Sequence, residues 1–353
     1  MSNAAVRLPA ALDPATPDAC VARRRLAQWL AVLTLLGLMA GLMTGSRGFS
    51  PSAFWVELHG DQAALILGEI RAPRTVGAAL VGALLGLAGA LAQGLFRNPL
   101  ADPYLLGSAA GAGLAVVLVL AAATLGGVYL SLATAAWLER VGLVAAAFVG
   151  AVTGVALTLT LAHGAVQTLR LLLAGVVVAV LLGALSDLVT LLSPDALRGK
   201  QAFLLGSTSF LGWPSLLLMG AGLVVALRVA RRLARALDAL TLGDDSAASL
   251  GLDLPRVRLA LVLVLSLATA LAVSQAGLVA FVGLVAPHLV RRHAPGPHGW
   301  LLAASAAMGT VLLLAADVIS RAVIAPQELP VGVVTAVLGG LYLFLLLKGR
   351  ALG

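Results

Sequence analysis

Two arginines in the run Ile-Arg71-Ala-Pro-Arg74-Thr and a third, Arg321, stand at the edges of very apolar segments, while Asp187 and Asp317 fall inside such segments. A charge at the centre of a bilayer costs roughly 2.5–3.5 kcal/mol on insertion scales, so each needs a partner, a wet cavity or a membrane face. Asp317 has Arg321 four residues on, one helical turn away, and Glu69 is a nearby carboxylate for the first two arginines. Asp187 has no obvious local partner, which leaves open a wet cavity, an ion-coupling role or closeness to the membrane face. His288, His293 and His298 are spaced by five, which turns successive side chains apart on a helix. Loop-capping or snorkelling roles are therefore expected of them, and no shared metal site. Cys20, the single cysteine, rules out an internal disulfide and thiolate metal clusters. No Gly-x-x-x-x-Gly-Lys-Ser/Thr loop occurs, so the chain is not expected to hydrolyse a nucleotide, and no nucleophile, base and orienter come together as a catalytic set.

The elements that carry these residues must be membrane helices. The chain is 61% hydrophobic and only 11% charged, where soluble domains run at about 25% charged. Strands of a barrel would alternate in polarity, and these runs do not, so the fold class is all-α integral membrane. Ten spans are delimited at 26–45, 71–96, 104–125, 141–163, 169–192, 213–233, 257–276, 279–293, 300–322 and 330–348, with a short outer helix over 194–206. An even number puts both ends in the cytoplasm. Arg228, Arg231, Arg232 and Arg235, then Arg256 and Arg258, Arg291 and Arg292, and Lys348 and Arg350 all fall inside on this count, as the positive-inside rule requires. The net charge of +8 is thus assigned to cytoplasmic arginines and anionic lipid, not to a nucleic-acid partner. The eighth span is short and carries Pro287, which predicts a broken or partly re-entrant helix. Residues 1–22, with three prolines and no apolar period, read as a disordered cytoplasmic tail ahead of one helical domain over 23–353. On this topology Arg71 and Arg74 sit outside, in the first turn of a helix whose first residue is Pro73, where the macrodipole disfavours cations. Something negative outside the membrane would account for them; lipid phosphate or a local carboxylate would also.

Between the apolar halves lies a polar stretch, residues 240–254. Asp244 and Asp245 suit the positive end of a short helix, Ala247, Ala248 and Leu250 form a small apolar face, and Gly251 suits the stop. So short a helix is marginal alone and is expected to lean on a partner. Ala88-Gly89 through Asn98-Pro99-Leu100 and Ala276-Gly277 through Pro287-His288-Leu289 look alike at an offset of five spans, which predicts an inverted repeat of the kind common in transporters.

Arg71-Ala-Pro-Arg74, Ala88-Gly89 to Gln93, Arg97-Asn98-Pro99-Leu100-Ala101-Asp102-Pro103, Leu171-Leu-Leu-Ala-Gly175, Leu242-Gly243-Asp244 with Leu250-Gly251, Phe281-Val-Gly-Leu284 with Pro287-His288, Ala316-Asp317 and Glu328-Leu-Pro-Val-Gly332 together resemble the permease subunits of type II ABC importers for ferric siderophores, haem and cobalamin. The resemblance runs from about residue 65 to the C-terminus, in the family's order. It implies a ten-helix subunit of the bacterial inner membrane, paired with a second copy of itself. A dimer of cytoplasmic ABC ATPases, which use ATP and Mg, would sit below, and a periplasmic substrate-binding protein above. The resemblance implies no cofactor bound by this chain. It assigns Leu242, Gly243, Asp244, Ala247, Leu250 and Gly251 to ATPase coupling, Arg71, Arg74 and Arg321 to pairing with glutamates of the binding protein, and Asn98, Leu100, Thr168 and Leu169 to the inner gate. The cargo implied is haem or a ferric siderophore, with cobalamin as the alternative, moved by alternating access. Readings of another class are a proton- or sodium-driven secondary transporter using Asp187, and an assembly protein without transport activity.

Overall fold

The structure is a computed structural model in which residues 17–45, 47–60, 62–125 and 132–351 are described. Helix α1 (Pro17–Met43) ends in a small antiparallel hairpin of Thr44–Gly45 (β1) and Gly48–Phe49 (β2), followed by α2 (Pro51–Leu58). A π-helical segment, Ala64–Arg71, runs unbroken into α3 (Ala72–Leu95). Beyond a single 3-10 turn at Pro103–Leu106 come α4 (Ser108–Leu125), α5 (Leu132–Leu161), α6 (Thr168–Leu192) and α7 (Asp195–Leu205). The chain then continues through α8 (Trp213–Thr241), α9 (Asp244–Ser249), α10 (Leu254–Ala276), α11 (Val282–His293), α12 (His298–Ala322) and α13 (Val331–Ala351). Helices lie on all ten apolar segments delimited from sequence. Among the described residues, seven are long and apolar enough to cross a membrane: α1, the fused Ala64–Leu95, α5, α6, α8, α10 and α12. Shorter apolar stretches occupy α4 and α13, and α11 contains Pro287.

Four boundaries and pairings differ from expectation, each for a local reason. The predicted tail loses Pro17 to Ala22 to α1, since Pro17 suits a first helical position and Asp18 suits the first turn; residues 1–16 lie outside the described residues. The second span starts at Ala64, well before Arg71. Pro73 has no N–H to give back to the preceding turn, and the helix accommodates it by widening: Ala72 N–H bonds Leu67 O, five residues back. Helix α8 continues to Thr241 because its arginines and alanines are good helix formers with no breaker among them. At 1.5 Å per residue it is about 43 Å long, more than the roughly 30 Å of hydrocarbon a span has to cross. Finally, the two look-alike stretches adopt different conformations. Gly89 sits in mid-helix in α3, whereas Gly277 ends α10 at φ 69° and the helix resumes only at Val282. The two stretches are therefore not equivalent in conformation residue for residue.

The core is built around α3, buried from Gly77 to Leu95 except at Ala79 and Leu80. Lipid tails give no hydrophobic incentive for one apolar helix to leave them for another, so close backbone approach over small residues has to supply the packing. A Cβ at Gly82 or Gly86 would fall far inside van der Waals contact with backbone carbonyls of α12, at Gly309 and Ser305, and one at Gly89 would do the same with Gly283 O of α11. That last carbonyl is the one Pro287 leaves without its intrahelical donor. Gln93 fastens the same crossing, donating to Leu284 O at 3.0 Å and accepting from Arg291. In contrast α6 buries only a narrow stripe, Leu171, Ala174, Gly175, Val178, Leu182 and Ser186, and leaves the rest of its apolar surface open.

Because the neighbour at Gly89 is backbone, Gly89→Ala must push α3 and α11 apart. It should cost about 1–3 kcal/mol, the usual range for overpacking. Gly220→Ala, where a Cβ meets nothing within 4 Å, should be neutral or stabilising by up to about 1 kcal/mol. Thermal unfolding of the two variants in one detergent tests the pair; equal melting temperatures would refute the crossing.

Candidate functional site

Polar side chains gather at the two ends of the bundle. At the end where α1 and α12 finish, Asp317 is fully buried and acts as a hub. Its Oδ1 accepts from Thr208 Oγ1 at 2.6 Å and lies 3.3 Å from Arg74 Nε, and its Oδ2 pairs with Arg321. Arg74 Nη1 also donates to both oxygens of Glu328, at 2.8 and 2.9 Å, and Ser209 Oγ donates to the same carboxylate at 3.1 Å. Arg321 Nη1 donates to Gly41 O at 3.0 Å and Thr44 O at 3.1 Å. Arg71 donates to Leu42 O at 3.1 Å and pairs with Glu57 at 2.6 Å. The C-terminal carbonyls of α1, orphaned as at any helix end, are thus served by two guanidiniums. The residue exposures are 7% for Arg71, 9% for Arg74 and 3% for Arg321. All three arginines are therefore interior groups whose charge is met within the chain. The macrodipole argument falls too, because Arg71 and Arg74 lie inside a continuous helix and not at its start.

Asp187 is exposed and forms an ion pair with Lys200 of α7, so it does have a partner and needs no wet cavity. The histidines go separate ways. His298 donates its backbone N–H to Asp238 Oδ1 at 2.9 Å and holds the same oxygen through Nδ1 at 2.7 Å, which caps α12. His293 Nδ1 is 2.9 Å from Leu289 O, and His288 meets the Tyr342 ring edge-on at 5.9 Å between centroids.

At the opposite end stands α9. It begins after Gly243 (φ 105°), with Asp244 and Asp245 in its first turn, and Gly251 (φ 83°) ends it as a left-handed stop. The expected apolar face divides: Ala247 is fully buried as a peg into the bundle, while Ala248 and Leu250 turn outward. Leu242 and Leu250, 67% and 65% exposed, flank the helix as bare apolar side chains. Asp244 anchors it, with Oδ2 at 2.7 Å from Arg258 and Oδ1 at 3.3 Å from Arg97, the latter within ion-pair reach but not aligned as a hydrogen bond. The hydrogen bond from Arg258 holds the Asp244 carboxyl below the ordinary carboxylate range against partial burial, and the charges of Arg258 and Arg97 add to it. A depressed folded pKa means that this anchor is fully present above the ordinary carboxylate value and is lost only as pH falls through the lowered one. The anchor is therefore intact at neutral pH.

A model of the FecCD transport family matches residues 33–349. The chain belongs to the FecCD transport family. It is 35% identical over 326 residues to the hemin transport system permease protein HmuU of Yersinia pestis, covering 91% of this chain and 94% of that one. It is 36% identical over 337 residues to the vitamin B12 import system permease protein BtuC of Citrobacter koseri, covering 94% and 98%. A solved inward-facing conformation of a metal-chelate type ABC transporter superposes with a TM-score of 0.78 at 24% identity, covering 92% of this chain and 99% of the other, and supports the fold. The FecCD family is that of ABC transporter permease subunits, which lack an ATPase of their own.

Within this FecCD permease the residues expected at the inner gate lie at the α9 end. Asn98 Oδ1 accepts from Leu100 N at 2.9 Å in a tight turn, Thr168 opens α6, and Leu100 and Leu169 are both exposed. What sequence reasoning missed is the partners: Glu57 and Glu328 for the arginines, Thr208 for Asp317, Lys200 for Asp187, Asp238 for His298, and Arg97 and Arg258 for Asp244. Arg97 and Glu328 stood inside quoted motifs, but nothing local tied either to a residue far along the chain.

Removing the hub strands two buried guanidiniums. Asp317→Ala should therefore destabilise the permease by about 3–5 kcal/mol, whereas Glu328→Gln, at a more open carboxylate, should cost about 1 kcal/mol or less. Thermal unfolding in detergent measures both, and small, equal losses would place the arginines' compensation elsewhere.

Proposed function

We propose that this chain is the membrane-spanning subunit of an ATP-driven importer for a metal chelate, working as two identical copies, each crossing the inner membrane ten times with both termini in the cytoplasm. The observation that carries the reading is α9: a short helix at the far end of the long α8, with Leu242 and Leu250 bare on either side, in a chain without a phosphate-binding loop. A helix with that geometry fits a groove on a separate ATPase, whose ATP and Mg supply the work. The pathway then exchanges its open side between periplasm and cytoplasm, passing Asn98, Leu100, Thr168 and Leu169 at its inner end. A periplasmic binding protein delivers cargo at the other end. There the Arg74 to Glu328 pair has the more open carboxylate, which makes Arg74 the arginine best placed to exchange partners. Haem or a ferric siderophore is the first assignment, supported by the HmuU relative and the metal-chelate neighbour; cobalamin is the second, supported by BtuC relatives of equal similarity. The pairing and exposure of Asp187 weigh against an ion-driven mechanism.

The test is co-expression with the partner ATPase, reconstitution into liposomes with the binding protein, and uptake of haem, a ferric siderophore and cobalamin in turn. One of them should accumulate only when ATP is present on the ATPase side. The double variant Leu242→Asp, Leu250→Asp should weaken capture of the ATPase by about tenfold or more, as loss of central apolar anchors does elsewhere. Uphill uptake by the purified chain alone, or uptake that ignores ATP and collapses with an ionophore, would refute the reading.

A further inference from the structure

Asp244 and Arg258 lie at a junction of chain segments far apart in sequence. Gly243 and Gly251 bracket α9 in left-handed conformations, and at both positions a Cβ would meet nothing within 4 Å. So short a helix between two such joints holds its orientation only through what it grips, and that is the buried Ala247 and the Asp244 carboxylate. Arg258, near the start of α10, is buried, and its two terminal nitrogens point to different places. Nη2 holds Asp244, and Nη1 donates to Val166 O in the connection between α5 and α6. Val166 lies two residues before Thr168, where α6 begins, and three before the exposed Leu169. The other oxygen of Asp244 faces Arg97, which is held at φ 49° and leads into the Asn98 to Leu100 turn. Arg258 Nε is buried and has no hydrogen-bond partner, which leaves one donor spare for a second arrangement of the same groups.

We infer that Arg258 is a positioning residue for transport: its fork ties α9 to the segment entering α6, so that a tilt of α9 about its glycine joints is delivered to Leu169. Only a planar guanidinium serves here, because two donors in fixed relative geometry reach a carboxylate and a carbonyl at once. An ammonium keeps the charge near Asp244 but offers donors from a single point. Arg97, on the other side of the same carboxylate, delivers a share of the motion to the turn at Leu100. The inference rests on the proposed docking of an ATPase at α9 and adds the route by which that docking reaches the pathway.

The experiment uses the full chain, with Cys20→Ser as background, assembled with its ATPase in nanodiscs. An environment-sensitive fluorophore is placed at position 249, an exposed serine of α9, in one preparation and at position 169 in another, each is read with and without ATP plus vanadate, and uptake is measured on unlabelled protein. Both probes should respond in the parent. With Arg258→Lys the probe at 249 should still respond, while the response at 169 and the uptake rate both fall by about tenfold, the scale of a lost charge-assisted hydrogen bond. Arg256→Ala, two residues away and paired with Asp253 at the surface, should change neither probe. A melting temperature of Arg258→Lys close to the parent's separates lost transmission from lost folding, and Asp244→Asn supplies a second variant that keeps a hydrogen-bonding oxygen but drops the charge. A full response at 169 together with full uptake in Arg258→Lys would overturn the inference while leaving the ATPase docking intact. Silence of the probe at 249 in the parent complex would overturn the docking and the inference with it.

Discussion

The approach of helix backbones over glycine is the constraint from which the rest of this structure follows. In water an amphipathic stripe would drive α3 into a core, but between lipid tails an apolar side chain gains little by exchanging one apolar neighbour for another. What remains is dispersion and weak polar contact at short range, and both need the backbones close. Gly82, Gly86 and Gly89 lie on α3 at intervals of three to four residues, so one face of the helix is bare. Residues Gly309 and Ser305 of α12 fill the upper part of that face and Gly283 of α11 the lower part. The same device joins α4 to α5 through Gly111 and Gly150. Once α3 is clamped in this way, the positions of Arg74 at one end and Arg97 just beyond the other are set, and with them the two polar clusters.

Those clusters follow from the cost of charge near hydrocarbon. Three arginines at one end would be untenable alone, and the chain meets them with Asp317, Glu57, Glu328 and the terminal carbonyls of α1. Burying the two guanidiniums against one carboxylate is favourable only when the remaining polar atoms also find partners, which explains why the Gly41 and Thr44 carbonyls accept from Arg321 and the Thr208 hydroxyl donates to Asp317. The outcome is a rigid knot that fixes α1, α3 and α12 relative to one another.

How much of this was legible in the sequence depends on the distance over which each signal acts. Helix positions came from composition and periodicity, which are local, and Asp317 with Arg321 came from the spacing of one turn. The short helix at 244 was readable from two aspartates and a following glycine for the same reason. Errors arose where a local rule was applied without its context. Pro73 looked like a helix start because proline favours that position, yet the π-helical turn before it let the helix run on from Ala64. Asp187 looked unpaired because Lys200 lies across a loop, and the arginines seemed to want an external anion because Glu328 is more than 250 residues away from Arg74. The face of α9 was read as one surface, but a six-residue helix is too short for periodicity to say which of Ala247, Ala248 and Leu250 turns inward.

The two ends are built on opposite principles, and that difference bears on how a permease moves. One end has its arginines buried, paired with carboxylates and tied to the backbone of α1, β1 and α12, so that shifting one member strands another. At the other end Asp244 is only half covered, its contact with Arg97 is unaligned, and α9 hangs between glycines that no side chain hinders. A displacement applied at Leu242 and Leu250 therefore meets little resistance in α9 itself and is passed to what Asp244 holds. Because α3 is clamped along its length, the motion cannot be absorbed there. On the proposed coupling it would be directed instead into α6, which buries only a narrow stripe against the rest of the chain. A bundle with one locked end and one jointed end would then turn a push at its surface into a change of angle inside, as the proposed alternating access requires.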